Sequence, residues 1–161
     1  MGWYCNSRRR VFKNHHKYPT MIRDKYNVSL LILTKQAGLA EITRCLGLQA
    51  HPSSVELGNP VPALFNIRTV KYIRTCWRME SGKPSTTKID TQLQALSKKL
   101  GPGFDSQLAK LRITKEVVIS IGVFTHRPMK SFSIGSEVLG CYVKMGCKIQ
   151  VSLYSLNENG S

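Results

Sequence analysis

Acidic residues are scarce in this sequence, and their scarcity argues against several kinds of chemistry. The chain has 161 residues, with 9 Asp and Glu against 24 Lys and Arg, which gives a net charge of +15. Acid–base catalysis usually needs a well-placed pair of carboxylates. The acids here are scattered and mostly stand beside Lys or Arg, so we expect them to be solvated or ion-paired. We therefore predict that the protein is not an enzyme.

Other motifs that carry chemistry are missing as well. The five cysteines include no Cys-x-x-Cys pair, so no zinc site is indicated. No strand–glycine loop with a following Lys-Ser or Lys-Thr occurs, which argues against a phosphate-binding loop. The four histidines lie in a basic segment or in turns near prolines, where a turn or RNA contact is the more common role. We expect no cofactor, no metal ion and no small-molecule substrate.

Long hydrophobic runs are also absent. No apolar stretch reaches the about 18–20 residues that a membrane-spanning helix needs, so we expect no membrane partner. Hydrophobic residues nevertheless make up 42% of the chain, which is enough to build a core. A large excess of positive charge repels itself within a folded chain and usually indicates a polyanionic partner, most often nucleic acid.

The basic charge is densest in residues 1–26, which we interpret as an N-terminal arm. Aromatic residues are interleaved there with cations, a pattern that suits phosphate contacts and base stacking on RNA. The candidate RNA-binding residues of this arm are Arg8, Arg9, Arg10, Lys13 and Lys17. A mitochondrial targeting peptide is also rich in arginine and poor in acids, and that alternative remains open.

Residues 27–80 predict a compact core with the order β-α-β-α-β. A dense apolar run predicts a buried strand over 27–33. Helical spacing then predicts a helix that ends near Gly47, and a short strand is predicted over 54–57. A second helix is predicted from about Ala63 to Arg74, followed by a strand over 75–79. The predicted buried layer comprises Leu30, Ile32, Leu39, Ile42, Leu46, Val55, Ile67, Val70 and Ile73.

The second predicted helix carries the strongest binding signal. An apolar stripe in which every third residue is Ile or Val lies beside a cationic stripe formed by Arg68, Lys71 and Arg74. Such a helix packs inward on one side and faces an anion on the other. These three cations are the first candidates for phosphate contacts, and Lys35 and Arg44 are the next.

The core resembles a known family. Leu46-Gly47-Leu48 at a helix end, the short strand with Val55, Asn59 and the sequence Val70-Lys71-Tyr72-Ile73 together resemble large-subunit ribosomal protein thirty, with mitochondrial members the most similar. The resemblance implies an α+β, ferredoxin-like fold, with an antiparallel sheet and two helices on one face. One departure is the short segment 34–38, where bacterial members have a longer basic loop.

The resemblance also implies a function. We expect a structural constituent of the large subunit of a mitochondrial ribosome, located in the mitochondrial matrix. Its partners would be large-subunit ribosomal RNA and neighbouring ribosomal proteins. The alternative is a free-standing RNA-binding, RNA-processing or assembly factor.

We interpret residues 81–161 as a C-terminal extension that begins with a linker rich in Ser, Thr, Gly and Pro. Helical spacing on both sides of Gly101-Pro102-Gly103 predicts a helical hairpin over 88–112. Strands are predicted within 115–154, with clear signals at 116–124 and 148–153 and weak ones at 131–134 and 140–143. We expect this extension to pack against neighbouring proteins.

Overall fold

Strand β1 (Lys25–Thr34) lies in the middle of the sheet and organises the rest of the chain. The structure is a computed structural model, and it describes residues 24–60, 71–126 and 131–156. After β1 the chain forms α1 (Leu39–Leu46), β2 (Thr75–Glu80), α2 (Ile89–Leu100), α3 (Phe104–Lys110), β3 (Lys115–Thr125), α4 (Ser136–Lys144) and β4 (Lys148–Ser155).

The strands form one mixed sheet with the order β2-β1-β3-β4. Strand β1 is antiparallel to both neighbours, and β3 and β4 are parallel because α4 carries the chain back across the sheet. Val55 adds an isolated antiparallel bridge to Cys76 on the outer side of β2. The protein is therefore α+β, and its sheet crosses the predicted boundary at residue 80.

The four helices of the described residues all pack on one face of this sheet. Every second residue of a strand faces the helices, and in β1 these residues are Val28, Leu30 and Ile32, all fully buried. They share one core with Trp77 of β2, and with helix residues Ile42, Leu93, Phe104 and Tyr142. The opposite side of the sheet has no helix in the described residues, and we call it the open face.

One buried glutamine joins the first half of the chain to the second. Gln92 of α2 is 1% exposed. Its Oε1 accepts hydrogen bonds from the Val28 amide and the Ser81 hydroxyl, both at 3.2 Å. Its Nε2 donates to the carbonyl oxygens of Tyr26 at 3.1 Å and Thr87 at 2.9 Å. The start of β1 is thus held by a helix from the segment predicted to be an extension.

Several predicted elements are present. The structure has β1, a helix that ends where Gly47 adopts a φ of 66°, the pair α2 and α3 on either side of 101–103, and strands at 115–125 and 148–155. Glycine suits the Gly47 position because positive φ strains residues that carry a Cβ.

Other predictions are wrong. The predicted helix does not extend through 71–74, because Lys71 forms a bridge with Pro60 and Arg74 lies in a bend that leads into β2. Ile73 is 73% exposed and not part of the core. Residues 140–143 belong to α4 rather than to a strand, and 131–134 form neither helix nor strand. The remaining part of the second predicted helix, 63–70, with the predicted core residues Ile67 and Val70, lies outside the described residues.

The antiparallel sheet was predicted for residues 27–80, and every pairing described within that segment is antiparallel. The sheet continues beyond the segment, and β4 adds a parallel pair at its edge. Period-two alternation specifies which side chains share a face and leaves strand direction open, so this pairing was not readable from the pattern.

Candidate nucleic-acid interface

Cations converge at the end of the sheet where β1 finishes and β2 and β3 begin. A cleft of about 410 Å³ lies there, and we call it the basic cleft. Its positively charged lining residues are Lys35, Arg74 and Lys115, and its other lining residues are Leu33, Thr34, Gln36, Thr114 and Glu116. The register explains the convergence, because Thr34 pairs with Thr75 on one side and with Lys115 on the other.

Side-chain hydrogen bonds hold the walls of the basic cleft in place. The Thr34 hydroxyl donates to the Thr114 carbonyl at 2.8 Å and accepts from the Gln36 amide at 3.1 Å. The Gln36 side-chain oxygen accepts from the Thr114 amide at 2.6 Å. These bonds tie the turn after β1 to the start of β3, and Lys35 lies exposed between two anchored residues. Its ammonium group forms no ion pair within the described residues.

One carboxylate balances part of this charge. Glu116 accepts from Lys148 Nζ at 2.8 Å and from Arg74 Nη1 at 3.2 Å. The hydrogen bond and the positive charge of Lys148, followed by those of Arg74, hold the pKa of Glu116 below its ordinary value. Lys35 and Lys115 line the same cleft, and the Lys115 ammonium donates to the Leu111 carbonyl at 2.7 Å. Cations outnumber the one carboxylate among the described residues of the cleft, which favours an anionic ligand.

The open face continues from this basic end. Strand register places one row of side chains across all four strands, formed by Arg78, Leu31, Val118 and Lys148. The next row is formed by Glu80, Ser29, Ser120 and Gln150, and Glu80 is ion-paired with Arg78 at 3.0 Å. The last row, at the other end of the sheet, holds Lys25, Phe124 and Tyr154. The face thus has cations at both ends, and the charged residue of the row between them, Glu80, is ion-paired with Arg78.

Two aromatic rings stack on this face. The centroids of Phe124 and Tyr154 lie 4.7 Å apart, and the ring planes differ by 13°. Gly122 makes room for them, because a Cβ at that position would lie 3.2 Å from the Phe124 ring. Tyr154 is 48% exposed, so one side of the stack faces solvent. An exposed ring on an open sheet is a platform on which a base can stack.

The sequence-predicted binding residues separate into three groups. Lys35 and Arg74 line the basic cleft. Lys71 is exposed in the bridge to Pro60, and Arg44 is exposed in the last turn of α1, on the helix side of the sheet. Arg8, Arg9, Arg10, Lys13, Lys17 and Arg68 lie outside the described residues. The predicted cationic stripe is therefore wrong at Lys71 and Arg74, because neither residue lies in a helix.

Sequence reasoning missed Lys115, Glu116, Lys148 and the aromatic pair. Lys115 and Glu116 directly precede a strongly apolar strand, which was the one available signal that they lie at a sheet end. Their proximity to Lys35 depends on the pairing of β1 with β3, across about 80 residues of chain.

The described residues offer neither a cluster of metal ligands nor a membrane-spanning helix. Residues 24–60, 71–126 and 131–156 contain no group of three His, Cys, Asp or Glu side chains arranged to hold a metal ion. No helix in those ranges combines the length and apolar character needed to cross a bilayer.

Comparison with known proteins identifies the family. Residues 24–156 match a family described as a domain of unknown function (DUF4279), and the match includes every helix and strand of the described structure. No curated protein and no solved structure matches the chain. Because the matched region covers most of the sequence, the chain belongs to the DUF4279 family.

Proposed function

We propose that this protein binds RNA, without catalysis, through the basic cleft and the open face of its sheet. The observation that carries the proposal is the convergence of Lys35, Arg74 and Lys115 at one end of the sheet. These cations would contact phosphates, and Tyr154 would stack on an exposed base at the other end. Lys148 and Tyr154 are six positions apart along β4, a span of about 20 Å that suits a short single-stranded segment.

Electrostatics supports a polyanion over a small anion. The net charge of +15 far exceeds what one phosphate group would neutralise. Among the described residues that line the cleft, Glu116 is the one carboxylate, and it already has two cationic partners. Extended nucleic acid gains affinity from each neutralised phosphate through counterion release. Phosphate contacts of this kind position RNA and do not read its sequence.

The ribosomal assignment is a narrower form of the same proposal. Its support is the sequence resemblance of 27–80 to large-subunit ribosomal protein thirty. The elements β1, α1 and β2 match three of that core's five elements, and an isolated bridge at Val55 stands where the short strand 54–57 was predicted. A ferredoxin-like arrangement of this core, and a place in the mitochondrial large subunit, are therefore proposals. The alternative is a free RNA-binding or assembly factor that uses the same face.

The direct test is fluorescence anisotropy of the full chain with a labelled single-stranded RNA of mixed sequence, at several salt concentrations. Lys35→Gln should weaken binding and reduce the slope of log K against log salt by about 0.7, the value for one single-strand phosphate contact. Lys98→Gln is the matched control, since Lys98 is exposed on α2 on the helix side of the sheet. It removes the same charge and should leave the slope nearly unchanged.

The aromatic platform has its own variants. Tyr154→Ala should weaken binding by about 1–3 kcal/mol, the usual loss when a stacking ring is removed. Tyr154→Phe keeps the ring and should bind almost as the wild type does. Equal effects of Lys35→Gln and Lys98→Gln, together with no effect of Tyr154→Ala, would refute the proposed face.

Sedimentation of a lysate distinguishes the ribosomal proposal from the more general proposal of RNA binding. Co-migration with the large ribosomal subunit at high salt supports a ribosomal constituent. RNA binding in anisotropy without co-migration supports a free RNA-binding factor instead.

A further inference from the structure

The two edges of the sheet differ. The outer edge of β2 is paired with residues of its own chain: Cys76 exchanges backbone hydrogen bonds of 2.8 and 3.0 Å with Val55, and the Arg78 carbonyl accepts from His51 at 2.7 Å. The Arg78 amide donates to the Ser54 hydroxyl at 2.9 Å. Strand β4, by contrast, pairs with β3 alone in the described part of the chain.

The open edge of β4 is also apolar. Ile149, Val151 and Leu153 pair with core residues of β3, so they point to the helix side of the sheet, yet they are 39%, 41% and 64% exposed. Val143, in the helix that leads into β4, is 63% exposed. Edge strands are usually protected by a proline, a bulge or a charge in mid-strand. Between Ile149 and Ser155, β4 has no proline and no charged residue.

The direction of the free backbone groups follows from the pairing with β3. The Leu156 amide donates to the Thr125 carbonyl, so even-numbered residues of β4 direct their backbone groups toward β3. Peptide orientation alternates along a strand. The N–H and C=O groups of Ile149, Val151 and Leu153 therefore point away from the sheet, along the edge that has no described neighbour.

We propose that β4 pairs with β4 of a second copy of this chain, antiparallel and centred on Val151, to form one continuous sheet. This register places Val151 opposite Val151 of the second copy and Ile149 opposite Leu153, so every apolar residue of the edge meets another. It also pairs outward-facing backbone groups with outward-facing ones, as an antiparallel ladder requires. Registers shifted by one residue violate that alternation. A shift by two in one direction places Ile149 opposite Ser155, and in the other direction it places Leu153 opposite Cys147, which precedes β4.

Charge complementarity favours the same arrangement. The one charged residue of β4 is Lys148. Antiparallel pairing places it opposite the uncharged Tyr154 of the second copy, so that no like charge faces it. It also keeps the two Lys148 side chains about 20 Å apart. A parallel arrangement would place the two lysines side by side, and like charges directly opposite one another destabilise a strand pair.

The test is sedimentation equilibrium of the full chain over a wide concentration range. The wild type should approach twice the mass of one chain, and Val151→Lys should remain at the mass of one chain. In the dimer, that substitution would place two lysines on Cα atoms about 5.5 Å apart. Gln150→Lys is the matched control, since it adds the same charge on the open face, opposite Ser152 of the second copy, and should still dimerise. Circular dichroism checks that both variants fold.

Amide hydrogen exchange identifies what covers the edge. In the wild type, the amides of Ile149, Val151 and Leu153 should become more protected as protein concentration rises, and in Val151→Lys they should exchange rapidly. A wild type that keeps the mass of one chain at every concentration overturns the proposal, whether or not these amides are protected. Dimerisation that survives Val151→Lys overturns it as well. Neither outcome affects the RNA proposal, which concerns the cleft and the open face.

Discussion

Replacing Gln92 with methionine tests whether residues 81–161 are an independent extension or part of one folding unit. Methionine has nearly the same length and shape but forms none of the four hydrogen bonds that Gln92 makes with residues 26–28, 81 and 87. Two of the lost partners, the Val28 amide and the Ser81 hydroxyl, belong to buried residues and would have no water to replace the glutamine oxygen.

The expected magnitude follows from those two groups. A buried donor left without a partner costs about 1–3 kcal/mol, and the carbonyls of Tyr26 and Thr87, which are partly buried, regain some hydration. We therefore expect Gln92→Met to lower the free energy of unfolding by about 2–4 kcal/mol. This is a large part of the about 5–15 kcal/mol by which domains are usually stable.

Urea denaturation followed by circular dichroism measures the loss. The matched control is Gln94→Met, because Gln94 is exposed on the same helix and should change stability by less than about 0.5 kcal/mol. If Gln92→Met and Gln94→Met are equally stable, the hydrogen bonds of Gln92 do not couple α2 to β1. If the difference appears and the transition stays single, the two segments unfold together.

Two further predictions concern stability. Tyr142 is fully buried, its hydroxyl donates to the Leu93 carbonyl at 2.6 Å, and burial raises the pKa of its phenol. Because Tyr142→Phe removes that hydrogen bond, it should lower the free energy of unfolding by about 1 kcal/mol in thermal or urea denaturation. Lys148 and Arg74 lower the pKa of Glu116 in the folded state, so the ionised carboxylate stabilises the fold. This contribution is fully present above the ordinary glutamate pKa and is lost as pH falls through the folded-state pKa. Wild type should therefore exceed Glu116→Gln in urea midpoint at neutral pH and lose that advantage in acid, and a pH-independent difference would contradict this.

Parts of the fold were predictable because they depend on local patterns. Alternating and continuous apolar runs indicated β1 and β3, helical spacing on both sides of residues 101–103 indicated α2 and α3, and Gly47 marked a helix end. Local patterns failed around residue 73, where every third residue is apolar. That spacing resembles a helix stripe, but Ile73 is exposed in a non-helical segment.

The candidate site was predictable only as charge. The excess of Lys and Arg over acids indicated a polyanionic partner, and Lys35 and Arg74 were named among the cations. Their meeting with Lys115 was not predictable, because side-chain alternation reports the face of a strand and not its neighbour. The aromatic pair was not predictable for the same reason, because Phe124 and Tyr154 are 30 positions apart and stack only through the parallel pairing of β3 and β4.

The sequence by itself determined the basic character of the chain, the positions of its main strands and the helix pair after residue 88, since each depends on composition or on spacing between near neighbours. Tertiary structure decided that β1 lies between β2 and β3, that all described helices cover one face, and that β4 is an edge. Those features depend on long-range pairing, in which many partners satisfy the same alternation and the packing of the whole core selects one.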